Sequence, residues 1–356
     1  MTAIVSPLRL GGKEVWPLIE GGKGISATNH LSSGAWAAAG GIGTVSAVNA
    51  DSYAADGSIV PQRYFGRTRR ERHDELVKYA IAGGIEQVRR AWEVASGKGL
   101  LNINVLWEMG GAQRVLHGVL EKTRELVHGV TCGAGMPFKL SEIAAQYGVH
   151  YYPIVSSARA FRLLWKRAYS RVAELLGAVV YEDPWRAGGH NGLSNAEDPL
   201  LPQDPYPRVL ALRQVMREEG IADSVPIVMA GGVWNLKEWR DWIDNKDLGA
   251  IAFQLGTRPL VTKESPIPES WKQALLKLLP GDVLLHRFSP TGFFSSAVKN
   301  RFLRNLEQRS ERQIAYSLER AGDHDFELDV AGYGTGRKAF VTRGDLLRAR
   351  EWAALG

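Results

Sequence analysis

Eight short apolar runs alternate with helical stretches between residues 16 and 253, and this order constrains the fold more than any other feature of the chain. The runs are 16–19, 42–46, 101–106, 129–132, 149–155, 178–181, 226–229 and 250–253. Helical patterning falls between them at 31–39, 86–94, 112–127, 140–147, 158–176, 207–219 and 236–243. In the stretch 158–176, Phe161, Trp165, Ala168, Val172 and Leu175 recur at the spacing of one helical face. Eight such β-then-α units predict an α/β chain closed into a (β/α)8 TIM barrel. An open, doubly wound sheet is the alternative, because periodicity alone does not prove closure. A polar insertion is expected near 49–75. Asn29 or Ser32 is expected to cap the helix at 31–39. The barrel is assigned to 1–265. Residues 266–356, with helical patterns at 270–279 and 301–318, are expected to form a helical lid or subdomain packed on it.

The chain has 356 residues, 45% of them apolar, so a large core is available. Its one cysteine, Cys132, excludes an internal disulfide and Cys-based metal clusters, and no metal site is expected. The N-terminus lacks a signal-peptide pattern and no apolar run has the length of a membrane span, so a cytoplasmic protein without a membrane partner is expected. Net charge is +6, with a basic cluster at Arg67, Arg69, Arg70 and Arg72. Glu71, Asp74 and Glu75 interrupt that cluster, and no aromatic residues interleave with it. It reads as a solvated loop and helix start, not a nucleic-acid surface.

The chemistry-bearing signals sit at strand ends. Arg186-Ala187-Gly188-Gly189-His190-Asn191-Gly192 follows the sixth apolar run. A histidine among glycines is poorly placed for core packing, and the backbone there lets a flat ligand approach. His190 is therefore the candidate catalytic residue, with an imidazole suited to proton chemistry near neutral pH. Gly231-Gly232 follows the seventh run and Gly256-Thr257-Arg258 the eighth. In a (β/α)8 barrel these two consecutive loops form the usual phosphate site. Gly22-Lys23-Gly24 follows the first run. It superficially matches a dinucleotide fingerprint, but the next acid is Asp51 and the ribose-binding acid is missing. It reads better as a turn that admits a flat ring system.

Taken in order, 20–24 (Glu-Gly-Gly-Lys-Gly), 39–43 (Ala-Gly-Gly-Ile-Gly), 104–106 (Asn-Val-Leu), 187–192 (Ala-Gly-Gly-His-Asn-Gly), 230–233 (Ala-Gly-Gly-Val) and 254–258 (Gln-Leu-Gly-Thr-Arg) resemble the nitronate monooxygenase family, formerly 2-nitropropane dioxygenase. The resemblance covers about residues 15–265. It implies a flavoprotein: an FMN-dependent oxidoreductase that oxidises alkyl nitronates with O2. It places Gly22, Lys23, Gly24, Asn104 and Gln254 at the cofactor, with Gly188 and Gly189 along the ring. Asp183 matches the acidic position at the end of the sixth strand. Ala230, Gly231, Gly232, Gly256 and Thr257 would hold the phosphate, and His190 matches the family's catalytic histidine. A homodimer is compatible with this reading.

The chain also departs from the family's pattern. Lys23 stands where methionine is common, and Ile154 occupies the position of a fifth-strand lysine found in some members. Lys23 is expected to supply the positive charge that Ile154 does not; pointing away to solvent is the alternative. Trp107 and Trp185 are expected to wall the substrate pocket, with shell packing as the alternative. An NAD(P)H-dependent quinone or enoyl-thioester reductase on the same fold remains open. So does a colourless phosphate-binding aldolase or isomerase using Lys23 with Glu182 or Asp183.

Overall fold

The computed structural model describes residues 5–194, 197–288, 293–310, 314, 316–329, 338–347 and 349–350. An antiparallel hairpin, β1 (Leu8–Leu10) and β2 (Lys13–Val15), comes first. Barrel strands β3 (Leu18–Glu20), β4 (Ile42–Ser46), β5 (Leu100–Leu106), β6 (Gly129–Gly133), β7 (His150–Val155) and β8 (Val179–Glu182) follow. After the two-residue strand β9 (Gly189–His190), β10 (Ile227–Ala230) and β11 (Ile251–Leu255) complete the ring. All eight barrel strands pair in parallel with their neighbours, and β11 returns to β3, so the sheet is a closed TIM barrel. Helices α1 (His30–Ala38), α2 (Arg69–Ala95), α3 (Ala112–Thr123), α4 (Leu140–Tyr147), α5 (Ala158–Arg167) and α6 (Pro205–Glu218) fill most of the crossovers.

Each barrel strand is buried on both faces, which is why its run is apolar throughout. Inward positions Ile19, Ile42, Tyr152, Val180, Val228 and Ala252 form one cluster, with Leu10 and Val15 of the hairpin packed into it. Outward positions such as Val45, Ile103, Val130, Tyr181 and Phe253 meet the helices. Each fully buried large side chain contributes roughly 1.5–3 kcal/mol. The helices sit close to the strands: a Cβ on Gly43 would collide with the Ser33 carbonyl of α1. Asn29 is the cap of α1, accepting from the amides of Leu31 and Ser32.

Three expectations are corrected. The insertion near 49–75 ends earlier, because α2 begins at Arg69 behind a Thr68–Glu71 capping box. Its first turns are solvent-exposed and charged, so they carry no apolar periodicity. The single helix at 158–176 is instead α5 followed by a 3-10 segment, Tyr169–Leu175. The break lets Tyr169 bury its ring, with its hydroxyl donating to the Pro137 carbonyl at 2.9 Å. The extension 266–356 is not purely helical. It holds α7 (Glu269–Leu275), then β12 (Val283–His286) and β13 (Ser295–Val298), which form a three-stranded sheet with β9, β13 running antiparallel to β9.

The chain forms two compact units, 1–297 and 298–356. The second contains α8 (Arg301–Ser310) and the strands β14 (Tyr316–Ser317), β15 (Phe326–Asp329) and β16 (Lys338–Val341). Its sheet order is β14-β16-β15 around Leu328, Val341 and Ala349. The alternation Phe326-Glu327-Leu328-Asp329 is a period-two strand signal. Among the described residues no helix is long and apolar enough to cross a membrane.

Candidate active site at the C-terminal mouth of the barrel

Side chains alternate along a strand, so the inward face of each barrel strand continues to its C-terminal end. Above the apolar inner cluster this parity brings Asn104, Ile154, Glu182, Ala230 and Gln254 to the mouth. Three adjoining cavities of about 300, 420 and 410 Å³ open there. The first is bordered by Ala230, Gly231, Gly232, Gly256 and Thr257, with Arg186 and Trp234. The second is bordered by Gly22, Lys23, Gly24, Asn104, Gly188, Gly189, His190 and Gln254. The third is lined by Ser156, Asn191, Arg287 and Phe294, among others.

The first cavity suits an anion. Gly231 and Gly232 have φ of +84° and +74°, a conformation that favours glycine and turns the backbone sharply after β10. Among the described residues no acceptor takes the amides of Gly232, Gly256 or Thr257. A Cβ on Gly256 would meet no protein atom, so that face is empty space. The Arg186 side chain packs against Gly232, and its Nε lies 3.6 Å from Asp183 Oδ2. The second cavity suits a flat ring: Gly188 and Gly189 also leave open space where a side chain would stand.

Lys23 is largely buried and borders both cavities, so it does not point to solvent. Its Nζ donates to the Gly21 carbonyl at 2.6 Å. Burial lowers the ammonium pKa to about 8, and the Glu20 carboxylate opposes that shift. The backbone of Lys23 is fixed by Thr28, whose Oγ1 accepts from the Lys23 amide at 2.9 Å. Asn104 is seated by Ser46, whose Oγ donates to Asn104 Oδ1 at 3.4 Å. A Cβ on Gly22 would collide with the Asn104 side chain, so glycine is required there.

His190 is held by pairing of β9 with β13, opposite Ser295. Burial lowers its pKa, so the neutral imidazole predominates at pH 7. His286 lies on β12 of the same small sheet. Its own pKa is lowered by burial and then by the His190 charge.

Asp183 stands at the end of the sixth barrel strand, as read, but is not among the described residues lining the three cavities. It follows the last inward residue of β8, and its carboxylate is buried behind the first cavity. There Oδ1 accepts from the Trp185 amide at 3.0 Å. The acid that faces the cavities is Glu182, and strand parity with Val180 was the signal that could have located it. Arg186 was also missed as a site residue, although it directly precedes the Ala-Gly-Gly-His segment. Trp107 packs against the outer core and Trp185 stacks near Arg208, and neither is among the described residues that line these three cavities. Trp234 borders the first cavity.

A family model described as nitronate monooxygenase matches residues 90–346. No curated protein shows significant similarity to the chain. Among solved structures, FabK from Thermotoga maritima is 20% identical, with a TM-score of 0.56 over 83% of this chain and 75% of that one. A nitroalkane oxidase from Streptomyces ansochromogenes is 20% identical, with a TM-score of 0.56 over 81% and 78%. The enoyl reductase domain of MlnA from Bacillus amyloliquefaciens is 12% identical, with a TM-score of 0.53 over 84% and 68%. At these identities the likeness extends to the fold.

Proposed function

Because the chain belongs to the nitronate monooxygenase family and is an FMN-dependent oxidoreductase, we propose that it oxidises alkyl nitronates with O2 at the mouth of the barrel. The observation that carries this reading is the joining of an anion cradle and a glycine-walled slot with His190 on its border. Bound FMN supplies the redox chemistry, accepting electrons from the substrate.

The chain's own residues position and discriminate. The amides of Gly232, Gly256 and Thr257, with the Thr257 hydroxyl, hold the phosphate, and Arg186 adds a nearby cation. Gly22, Gly188 and Gly189 keep the slot narrow and free of side chains, so the ring can lie against backbone. Lys23 provides a cation beside the ring, and Asn104 and Gln254 offer amide donors. His190 orients the nitro group of the substrate. With a neutral nitroalkane, its imidazole lone pair takes the α-proton. The third cavity adjoins the ring slot and accommodates the rest of the substrate. That same space is what an NAD(P)H-dependent reductase would need for its second ligand, and this is the alternative reading.

Oxygen uptake with a primary alkyl nitronate tests the assignment. With the neutral nitroalkane as substrate, His190→Ala is expected to lower turnover by about 10²–10⁴-fold while leaving the bound flavin in place. Turnover within twofold of wild type in a flavin-loaded His190→Ala protein would remove His190 from the chemistry.

A further inference from the structure

Among the described residues that line the three cavities, Glu182 alone borders all of them. It is the last residue of β8, directed inward by the same parity as Val180. Its neighbours across the ladders bring no charge to it: Ala230 pairs with it on β10, and Ile154 of β7 pairs with Val180. Among the described residues no hydrogen bond or ion pair engages its carboxylate. The charged and titratable groups that share its cavities are Lys23, Arg186, His190 and Arg287, and Asp183 adjoins it in sequence. Arg186 Nε lies 3.6 Å from Asp183 Oδ2, and Lys23 Nζ donates to a backbone carbonyl.

We propose that Glu182 receives FMN in its protonated form, so that loading the cofactor takes up a proton onto this carboxyl. This rests on the reading of the mouth as an FMN site. A flat ring over the second cavity removes water from Glu182, and a phosphate dianion in the first cavity brings a like charge toward it. Both effects favour the neutral acid. The chain without cofactor already leans that way, because burial, and then the Asp183 charge, push the Glu182 pKa up to about 8. The sign follows. Below that pH the acid is ready for FMN. Above it, each unit of pH imposes a further tenfold loss of affinity until the pKa of the loaded form is reached. A neutral Glu182 also spares an anionic nitronate an uncompensated negative charge in its own cavity.

The test is FMN affinity, read by flavin fluorescence quenching from pH 7 to pH 9.5, for wild type and Glu182→Gln. The two proteins are expected to bind equally near pH 7. At pH 9.5 the variant should bind at least tenfold more tightly. Lys23 loses its charge over the same range, but it is present in both proteins and cancels in the ratio. Calorimetry at pH 8, in two buffers of different ionisation enthalpy, should show more proton uptake by wild type than by Glu182→Gln, the uptake at Lys23 being common to both. The FMN phosphate is already fully ionised there and adds no uptake of its own. A wild-type-to-variant ratio independent of pH, weaker binding by Glu182→Gln throughout, or equal proton uptake by the two proteins overturns the proposal while leaving the FMN site intact. Absence of FMN binding by wild type at every pH overturns both.

Discussion

Gly256→Asp is expected to yield a folded, colourless protein. A Cβ at this position meets no protein atom, so the barrel has no reason to move. The melting temperature of the cofactor-free protein should stay within about 2 °C of wild type, because surface-like substitutions cost little. The carboxylate, however, projects into the cavity bordered by Gly231, Gly232 and Thr257. It displaces the phosphate and opposes its charge in a site partly shielded from water, where such repulsion amounts to several kcal/mol. FMN affinity should fall by roughly 10³-fold, about 4 kcal/mol. Titration of the cofactor-free protein with FMN measures it. Near-native affinity would place the phosphate elsewhere.

Arg213→Leu should be among the most damaging single substitutions in the fold. Arg213 is 1% exposed and carries no carboxylate partner in its hydrogen bonds. Its guanidinium donates instead to four backbone carbonyls: Leu248 at 2.6 Å, Ala222 at 2.8 Å, Val225 at 3.0 Å and Ala250 at 2.8 Å. Two of these precede β10 and two precede β11. One side chain of α6 therefore anchors the starts of the two strands whose far ends carry the anion cradle. Burial lowers the Arg213 pKa to about 10, which leaves it charged at neutral pH. Leucine would leave the Leu248, Ala222 and Val225 carbonyls without this donor and Ala250 with the Ile227 amide alone, at a cost of roughly 3–5 kcal/mol. A drop in melting temperature on the order of 10 °C is expected, and FMN retention should weaken with it. A change below about 2 °C would show that water replaces the guanidinium without loss.

Much of this was legible in the sequence because barrel strands are buried on both faces. All eight apolar runs became barrel strands, with no end shifted by more than two residues. The glycine turns after the first, seventh and eighth strands were legible for a related reason. Side-chain-free backbone at a strand end marks where something else must approach. What the sequence hid was orientation and long-range pairing. Glu182 and Asp183 are adjacent, and only the parity of β8 separates the acid that faces the cavities from the acid behind them. The indoles of Trp107 and Trp185 follow strand and loop geometry that composition does not report. His286 joins the sheet of His190 through β13, a contact between segments about 100 residues apart in sequence that no local pattern encodes. The start of α2 was readable from its capping box, but a charged, exposed first turn masked it.

The most direct test of the central claim is the visible spectrum of the FMN-loaded protein under anaerobic conditions, first with NADPH and then with an alkyl nitronate. The account predicts a flavin spectrum unchanged by NADPH and bleached by the nitronate, with the oxidised spectrum returning when O2 is admitted. Bleaching by NADPH with indifference to the nitronate would contradict it and assign the barrel mouth to a reductase.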